Sequence, residues 1–283
     1  KAHTPFNEEN TIASKPTEEE QCTGCCWKCQ AKCLTGNTPI GKPQKPSAEP
    51  DTILKDSAAK VLMKIMYAAR MGRYDLQRAI GALASRLTTW DKRCDLATYR
   101  LICYINTTLD KQLCGWVGDK PEDLNLGLFA DADFAGDRWS GRSTSGVCLE
   151  LQGPDTSFML QSISKKQSCV SHSTPEAEIV EANLAIRETG LPAIQLWETL
   201  LGRTPKLIMY EDNMTACRVI HTGKNPVMRH ISRTHGVSIK ELHEIFQNPS
   251  ITIGYCPSSE MVADIGTKAF TNKDKWEHAL ANI

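Results

Sequence analysis

The stretch Leu124-Asn125-Leu126-Gly127-Leu128-Phe129-Ala130-Asp131-Ala132-Asp133 decides how the rest of the chain is read. Leu124, Leu126, Leu128 and Ala130 alternate with their neighbours, the period of a strand with one buried face, and the strand ends on Asp131. Downstream, 146–151 fits a second strand and 157–163 a third, with Gly153-Pro154-Asp155 as the turn between them. Pro175 suits a first helical position after Thr174 as cap. The helix that follows from Glu176 is expected to break near Gly190 and Pro192 and to resume to Leu201. A fourth strand over 206–210 precedes a helix from Asn213 to about His221, then a helix over 231–246. A fifth strand over 251–255 leads into a short last helix over 262–270. Short turns between the first three strands imply an antiparallel meander, and the later helical crossovers imply parallel pairing. The expected class is α/β, a mixed five-stranded sheet in the order βββαβαβα with helices on its faces.

Upstream the pattern changes. Val61, Leu62, Ile65, Met66 and Ala69 recur at helical spacing, and Gly72 stops that helix. Asp75 is a candidate cap for a second helix with Leu76, Ile80, Leu83 and Leu87 on its apolar face. Asp95 is a candidate opener of a third through Leu96, Tyr99, Ile102 and Ile105. A turn from Gly118 to Pro121 marks a boundary, so three regions are expected: 1–56, 57–122 and 123–283. Residues 1–56 are poor in large apolar side chains, and Gly41-Lys42-Pro43-Gln44-Lys45-Pro46 has linker composition.

Formal net charge is zero, so any nucleic-acid surface must be a local patch. No apolar run reaches the roughly 20 residues that cross a bilayer. The chain opens on Lys1 without a methionine or an apolar signal core, so a fragment of a longer product is expected. Scattered cysteines such as Cys103 and Cys148 read as small buried hydrophobes of a reducing compartment. The cluster Cys22, Cys25, Cys26, Cys29 and Cys33 has zinc-like spacing for one half-site. Zinc held by Cys22, Cys25, Cys29 and Cys33 and mere drift of composition in a linker both explain it.

Four carboxylates occupy telling positions. Asp131 ends the first strand and Asp212 the fourth; Glu178 lies early in the long helix and Asp264 early in the last one. If strands one and four are parallel neighbours, Asp131 and Asp212 emerge at the sheet edge where ligands of open sheets bind. Like charges so close repel unless a cation neutralises them, and hard oxygen ligands suit Mg²⁺ or Mn²⁺. Two such ions about 4 Å apart would stabilise the attacking and leaving oxygens of a phosphoryl displacement.

Several motifs then carry a likeness. Ala130-Asp131-Ala132-Asp133-Phe134-Ala135-Gly136-Asp137 resembles the opening of copia-type retroelement ribonuclease H domains. Ser143-Thr144-Ser145-Gly146, Ser164-Lys165-Lys166-Gln167 and Glu176-Ala177-Glu178 are similar to their later motifs in the same order. So are Glu211-Asp212-Asn213 and Ala263-Asp264 with Thr267-Lys268. Met66-Tyr67-Ala68-Ala69-Arg70 and Asp75-Leu76 resemble the end of the reverse transcriptase that precedes this domain, but the polymerase's own aspartates are absent.

The resemblance implies a ribonuclease H-like fold, with Asp131, Glu178, Asp212 and Asp264 as the catalytic, metal-binding carboxylates. It implies hydrolysis of the RNA strand of an RNA–DNA hybrid, the reverse transcriptase portion as partner, and an intracellular, virus-like-particle setting. Two departures stand out. Gly266 replaces a usual leucine and is expected to weaken the last helix by about 1 kcal/mol relative to Ala. The loop Cys256-Pro257-Ser258-Ser259-Glu260 carries no histidine, so no histidine-assisted product release is expected.

Other polar residues have plainer readings. Asp133 is expected to cap the turn that follows it, and Glu176 to be a first-turn residue favoured by the helix dipole. Lys165, Lys166, Asn213, Arg229, His230 and Arg233 are the candidate nucleic-acid contacts, Arg229 to His235 forming a basic cluster; the alternative is a solvated face. Two rival functions stay open: a non-catalytic nucleic-acid-binding remnant, and a DNA-acting nuclease of the same superfamily.

Overall fold

The strand read first is the spine of the sheet. In the computed structural model, which describes residues 2–6 and 52–283, it runs as β2, Asn125–Asp137. Leu126, Leu128 and Ala130 face one side, where they meet Ile179, Ile186 and Leu207; Phe129 faces the other, with Leu62, Tyr104 and Trp276. Each such leucine contributes about 1.5–3 kcal/mol when fully buried. Flanking it are β3 (Arg142–Gly153), β4 (Thr156–Lys166), β5 (Leu207–Glu211) and β6 (Ile251–Tyr255). The meander β2–β3–β4 is antiparallel, and β2–β5–β6 is parallel. A two-residue edge strand, β1 (Trp116–Val117), pairs antiparallel with β4, so the mixed sheet has six strands where five are expected. So short a strand has no periodicity to read. The cysteine cluster expected as a zinc site, with most of 1–56, lies outside the described residues.

Helices cover both faces. On one side lie α1 (Ala58–Met71), α2 (Gln77–Ala84) and α3 (Lys92–Thr107), sharing a core with β2, β3 and β4. Asp91, not Asp95, caps α3 by accepting from the Cys94 N–H. Asp95 instead takes the Ile53 and Leu54 N–H groups and the Trp90 indole. The buried stripe of α3 is Cys94, Ala97, Thr98, Leu101 and Tyr104, while Leu96, Tyr99 and Ile102 face outward. Tyr104 decides this rotation, because its hydroxyl finds Asp75 and the Trp276 indole inside the core. Asp75 is thus a buried partner of Tyr104 and Arg73, and no side chain caps α2.

On the other side lie α4 (Thr174–Leu184), α5 (Leu191–Leu201), α6 (Met214–Thr222), α7 (Ile231–Thr234) and α8 (Ile239–Ile245). Ser173, not Thr174, caps α4. The expected break at Gly190 is a π-helical turn, Ala185–Gly190, that carries α4 straight into α5. A π turn absorbs the donor missing at Pro192 without ending the helix. Gly190 serves close packing: a Cβ there would stand 3.1 Å from Leu128 and 2.9 Å from Ile186.

The helix expected over 231–246 is two, split at Gly236 (φ +69°) and reopened by Ser238, which accepts from the Glu241 N–H. Ser238-Ile239-Lys240-Glu241 is a capping-box sequence that was there to be read. The last expected helix shrinks to α9 (Asp264–Thr267), and a further helix, α10 (Lys273–Ala281), buries Trp276. No helix among the described residues is long and apolar enough to cross a membrane.

Candidate active site

Strand register brings the carboxylates together. Phe129 pairs with Tyr210 in the parallel β2–β5 ladder, so Asp131 and Asp212 stand side by side two residues further on, Asp212 just past the end of β5. The strand expected to end on Asp131 instead runs on to Asp137, because β3 continues to pair with it beyond that point. Helix α4 packs on β2 and brings Glu178 over the same edge. One oxygen each of Asp131, Glu178 and Asp212 lies within 4.8 Å of the others. Asp264, the first residue of α9, lies close enough to Asp131 for the two to perturb each other and pairs with Lys268 Nζ at 2.5 Å.

The position of α9 rests on a close pass between backbones. A Cβ on Gly146 would lie 2.6 Å from the Ala263 carbonyl oxygen, and one on Gly266 would lie 3.1 Å from that of Ile163. Ser164 Oγ donates to the Gly266 carbonyl at 2.6 Å, and Arg78 Nε to that of Thr267 at 2.7 Å. Thr267 Oγ1 donates to Asp131 Oδ2. Gly266 thus has a packing role beside its expected cost in helix propensity: any side chain there would have to displace the Ile163 carbonyl or the Gly146 backbone by a few tenths of an ångström.

The electrostatics are those of acids forced together. Burial, then Glu211, Asp131 and Asp212, push Glu178 up to about 10. Burial and Asp131 push Asp264 to about 7, against the pull of Lys268. Asp131 is raised chiefly by burial. Glu178 Oε2 is buried with no protein hydrogen-bond partner. An all-carboxylate donor set with an orphaned buried oxygen fits a hard divalent cation.

Two further acids lie beneath, and the sequence reading missed both. Glu181, one turn after Glu178, is fully buried, and neither of its oxygens has a protein partner. Glu211 Oε1 accepts from the Asn213 N–H, but its Oε2 is an orphan too. Burial first and neighbouring carboxylates next raise both well above the ordinary range. Glu181 follows Glu178 by three positions, a helical neighbour spacing that could have flagged it.

The remaining candidates are mostly engaged. Asp133 does not cap its own turn: it accepts from the Thr144 N–H across the hairpin and pairs with Arg78 at 3.3 Å. Glu176 is a buried anchor holding His230 Nε2 and His235 Nε2, each at 3.2 Å. His230 is thereby tied inward, while Arg229 and Arg233 are exposed beside it. Asn213 caps α6 through its Oδ1. Lys165 pairs with Glu188 and Lys166 with Asp137.

Curated proteins resemble the chain. The retrovirus-related Pol polyprotein from transposon TNT 1-94 of Nicotiana tabacum is 28% identical over 240 residues, 83% of this chain. The similarity to that Pol polyprotein runs over most of this chain. It spans 17% of the length of that polyprotein. The chain is also 32% identical over 147 residues to secreted RxLR effector protein 161 of Plasmopara viticola, covering 50% of this chain and 91% of the effector. Among solved structures it is similar to LC11-RNase H1, isolated from compost (TM-score 0.36, 12% identity, 55% of this chain and 98% of that one). The RNase H domain of PFV is similar as well (TM-score 0.30, 16% identity, 48% of this chain and 78% of that one). No protein-family model matches the chain.

Proposed function

We propose that this chain is the ribonuclease H portion of a copia-type retroelement polyprotein, a metal-dependent hydrolase of the RNA strand in RNA–DNA hybrids. One observation carries the reading: Asp131, Glu178 and Asp212 converge within 4.8 Å at the edge shared by β2 and β5. Asp131, Glu178, Asp212 and Asp264 would hold Mg²⁺, or Mn²⁺ in its place. Divalent cations bound there supply charge stabilisation to the attacking and leaving oxygens of a phosphodiester.

The chain's own groups do the positioning. Ser258 Oγ holds Asp212 Oδ2 at 2.6 Å, Thr267 holds Asp131, and α9 carries Asp264 onto the cluster. Discrimination for RNA would rest on 2′-hydroxyl contacts and groove width, without base readout. Arg229 and Arg233 are the exposed basic residues available for phosphates. The helices α1–α3, packed on the sheet, would be the end of the reverse transcriptase, whose remainder is the partner. Such an element works inside the cell, within a virus-like particle.

The test offers labelled hybrid, duplex RNA and duplex DNA with Mg²⁺ to the protein and to Asp212→Asn. Cleavage of the hybrid's RNA strand alone, lost in the variant, is expected. Cleavage of duplex DNA would move the assignment to a DNA-acting nuclease. Binding without cleavage would make the chain a nucleic-acid-binding remnant.

A further inference from the structure

The carboxylate cluster has two sides, and only one is furnished for a metal by oxygen ligands alone. Asp131, Glu178 and Asp212 offer oxygens within 4.8 Å of one another, and Asp264 is not among them. Asp264 is instead paired with Lys268 Nζ at 2.5 Å across one turn of α9. The ammonium also lies within electrostatic reach of Asp131 and Asp212, so it faces three of the four acids and leaves Glu178 to the other side. Lys268 can leave without unfolding anything, since its side chain is 43% exposed while that of Asp264 is 15% exposed.

We propose that the Lys268 ammonium is the resident second cation of this site, so that the free protein binds one divalent ion and a second enters only when Lys268 swings out. This rests on the functional reading for the identity of the site, and on the ion pair for its occupancy. A point charge on a flexible stem is suited to such a role, since it neutralises a carboxylate and yet gives way. Binding of an anionic phosphate alongside would favour the exchange, because the ammonium then has another partner to follow. Lys268 is here a positioning residue, acting through Asp264 and Asp131.

The test is titration of the full chain with Mn²⁺, read by calorimetry and by the electron paramagnetic resonance of free ion, for the wild type, Lys268→Met and Lys268→Arg. The wild type should take up one equivalent, with the second at least about tenfold weaker, the size of effect that outer partners exert on metal sites. Lys268→Met should bring the second equivalent up by about that factor, while Lys268→Arg should behave as wild type. Two equal equivalents in the wild type would overturn the proposal, whether or not the methionine variant folds. An unchanged second isotherm in a folded Lys268→Met would do the same, as would no Mn²⁺ uptake at all. Hybrid cleavage run on the same samples separates the two readings: one strong equivalent without cleavage keeps Lys268 as resident cation and removes the nuclease assignment alone.

Discussion

The α9 side and the α4–β5 side of the carboxylate cluster solve the same problem in opposite ways. On the α9 side every acid has a protein partner: Thr267 for Asp131, Lys268 for Asp264, Arg78 and Thr144 for Asp133. On the other side Glu178, Glu181 and Glu211 keep buried oxygens with no hydrogen bond, as Asp264 Oδ1 does, but without the ion pair that Asp264 has in Lys268. Burying an uncompensated carboxylate costs several kcal/mol, so such groups take up a proton or a cation. A fold that compensates one half of an acidic site and leaves the other bare has reserved the bare half for something it does not itself supply.

The strongest way to break the comparison is Glu178→Gln. Activity on hybrid should fall by at least about 10²-fold, as when a preorganised charge-stabilising group is lost. Stability in EDTA should at the same time rise, because a repelled acid has gone, and the rise in melting temperature on adding Mg²⁺ should shrink. Thermal melts with and without the ion read both. A variant less stable than wild type in EDTA would mean Glu178 is compensated after all.

Next in size is His235→Ala. The α4 side is not without an anchor, for Glu176 is clamped by His235, whose side chain is 1% exposed, and by His230. This clamp holds the start of α4, and hence Glu178, to the segment before α8. Removing a partner of a buried carboxylate should cost about 2–4 kcal/mol in urea unfolding. A loss below 0.5 kcal/mol, roughly that of a surface substitution, would show that α4 is held by its apolar face alone.

Gly146→Ala probes the opposite side. Its Cβ would meet the Ala263 backbone oxygen at 2.6 Å, which cannot turn aside as a flexible side chain could. Overpacking of this kind costs about 1–3 kcal/mol. Asp264 should move with α9, so Mn²⁺ affinity should change along with stability. A destabilised protein with unchanged Mn²⁺ binding would separate α9 from the site.

Those three positions differ in how well the sequence announces them. Strand periodicity in Leu124, Leu126, Leu128 and Ala130 marks β2 and assigns those residues to one face, although Phe129 shows the other face is buried as well. With β2 and β5 parallel and in this register Asp131 and Asp212 meet, and three of the four acids were legible from where elements begin or end; Asp131 lies inside β2, which runs on to Asp137. The rotation of α3 was not, since it carries two apolar stripes and only a distant hydroxyl partner for Tyr104 selects one. Nor was the clamp on Glu176: its two histidines lie more than fifty residues away and join it through tertiary packing. The packing role of Gly266 was missed for the same reason, because helix propensity is a local quantity and close approach to Gly146 is not.

The smallest effect, and the most direct measure of the bare side, is the pH dependence of folding in EDTA. Burial and neighbouring acids raise Glu181 well above the ordinary glutamate value of 4.5. The folded chain then keeps a proton that the unfolded chain gives up above that pH, so the unfolded state binds fewer protons and stability falls as pH rises. Each such group contributes a slope of at most about 1.4 kcal/mol per pH unit between its unfolded and folded values. Glu181→Gln removes one of them, so its stability should decline less steeply than wild type from pH 5 upward, with the two curves closest at the acid end. Parallel curves would mean that Glu181 is ionised in the folded chain, balanced by a cation that EDTA does not remove. In that case the protein itself would be completing the half of the site that the structure leaves bare.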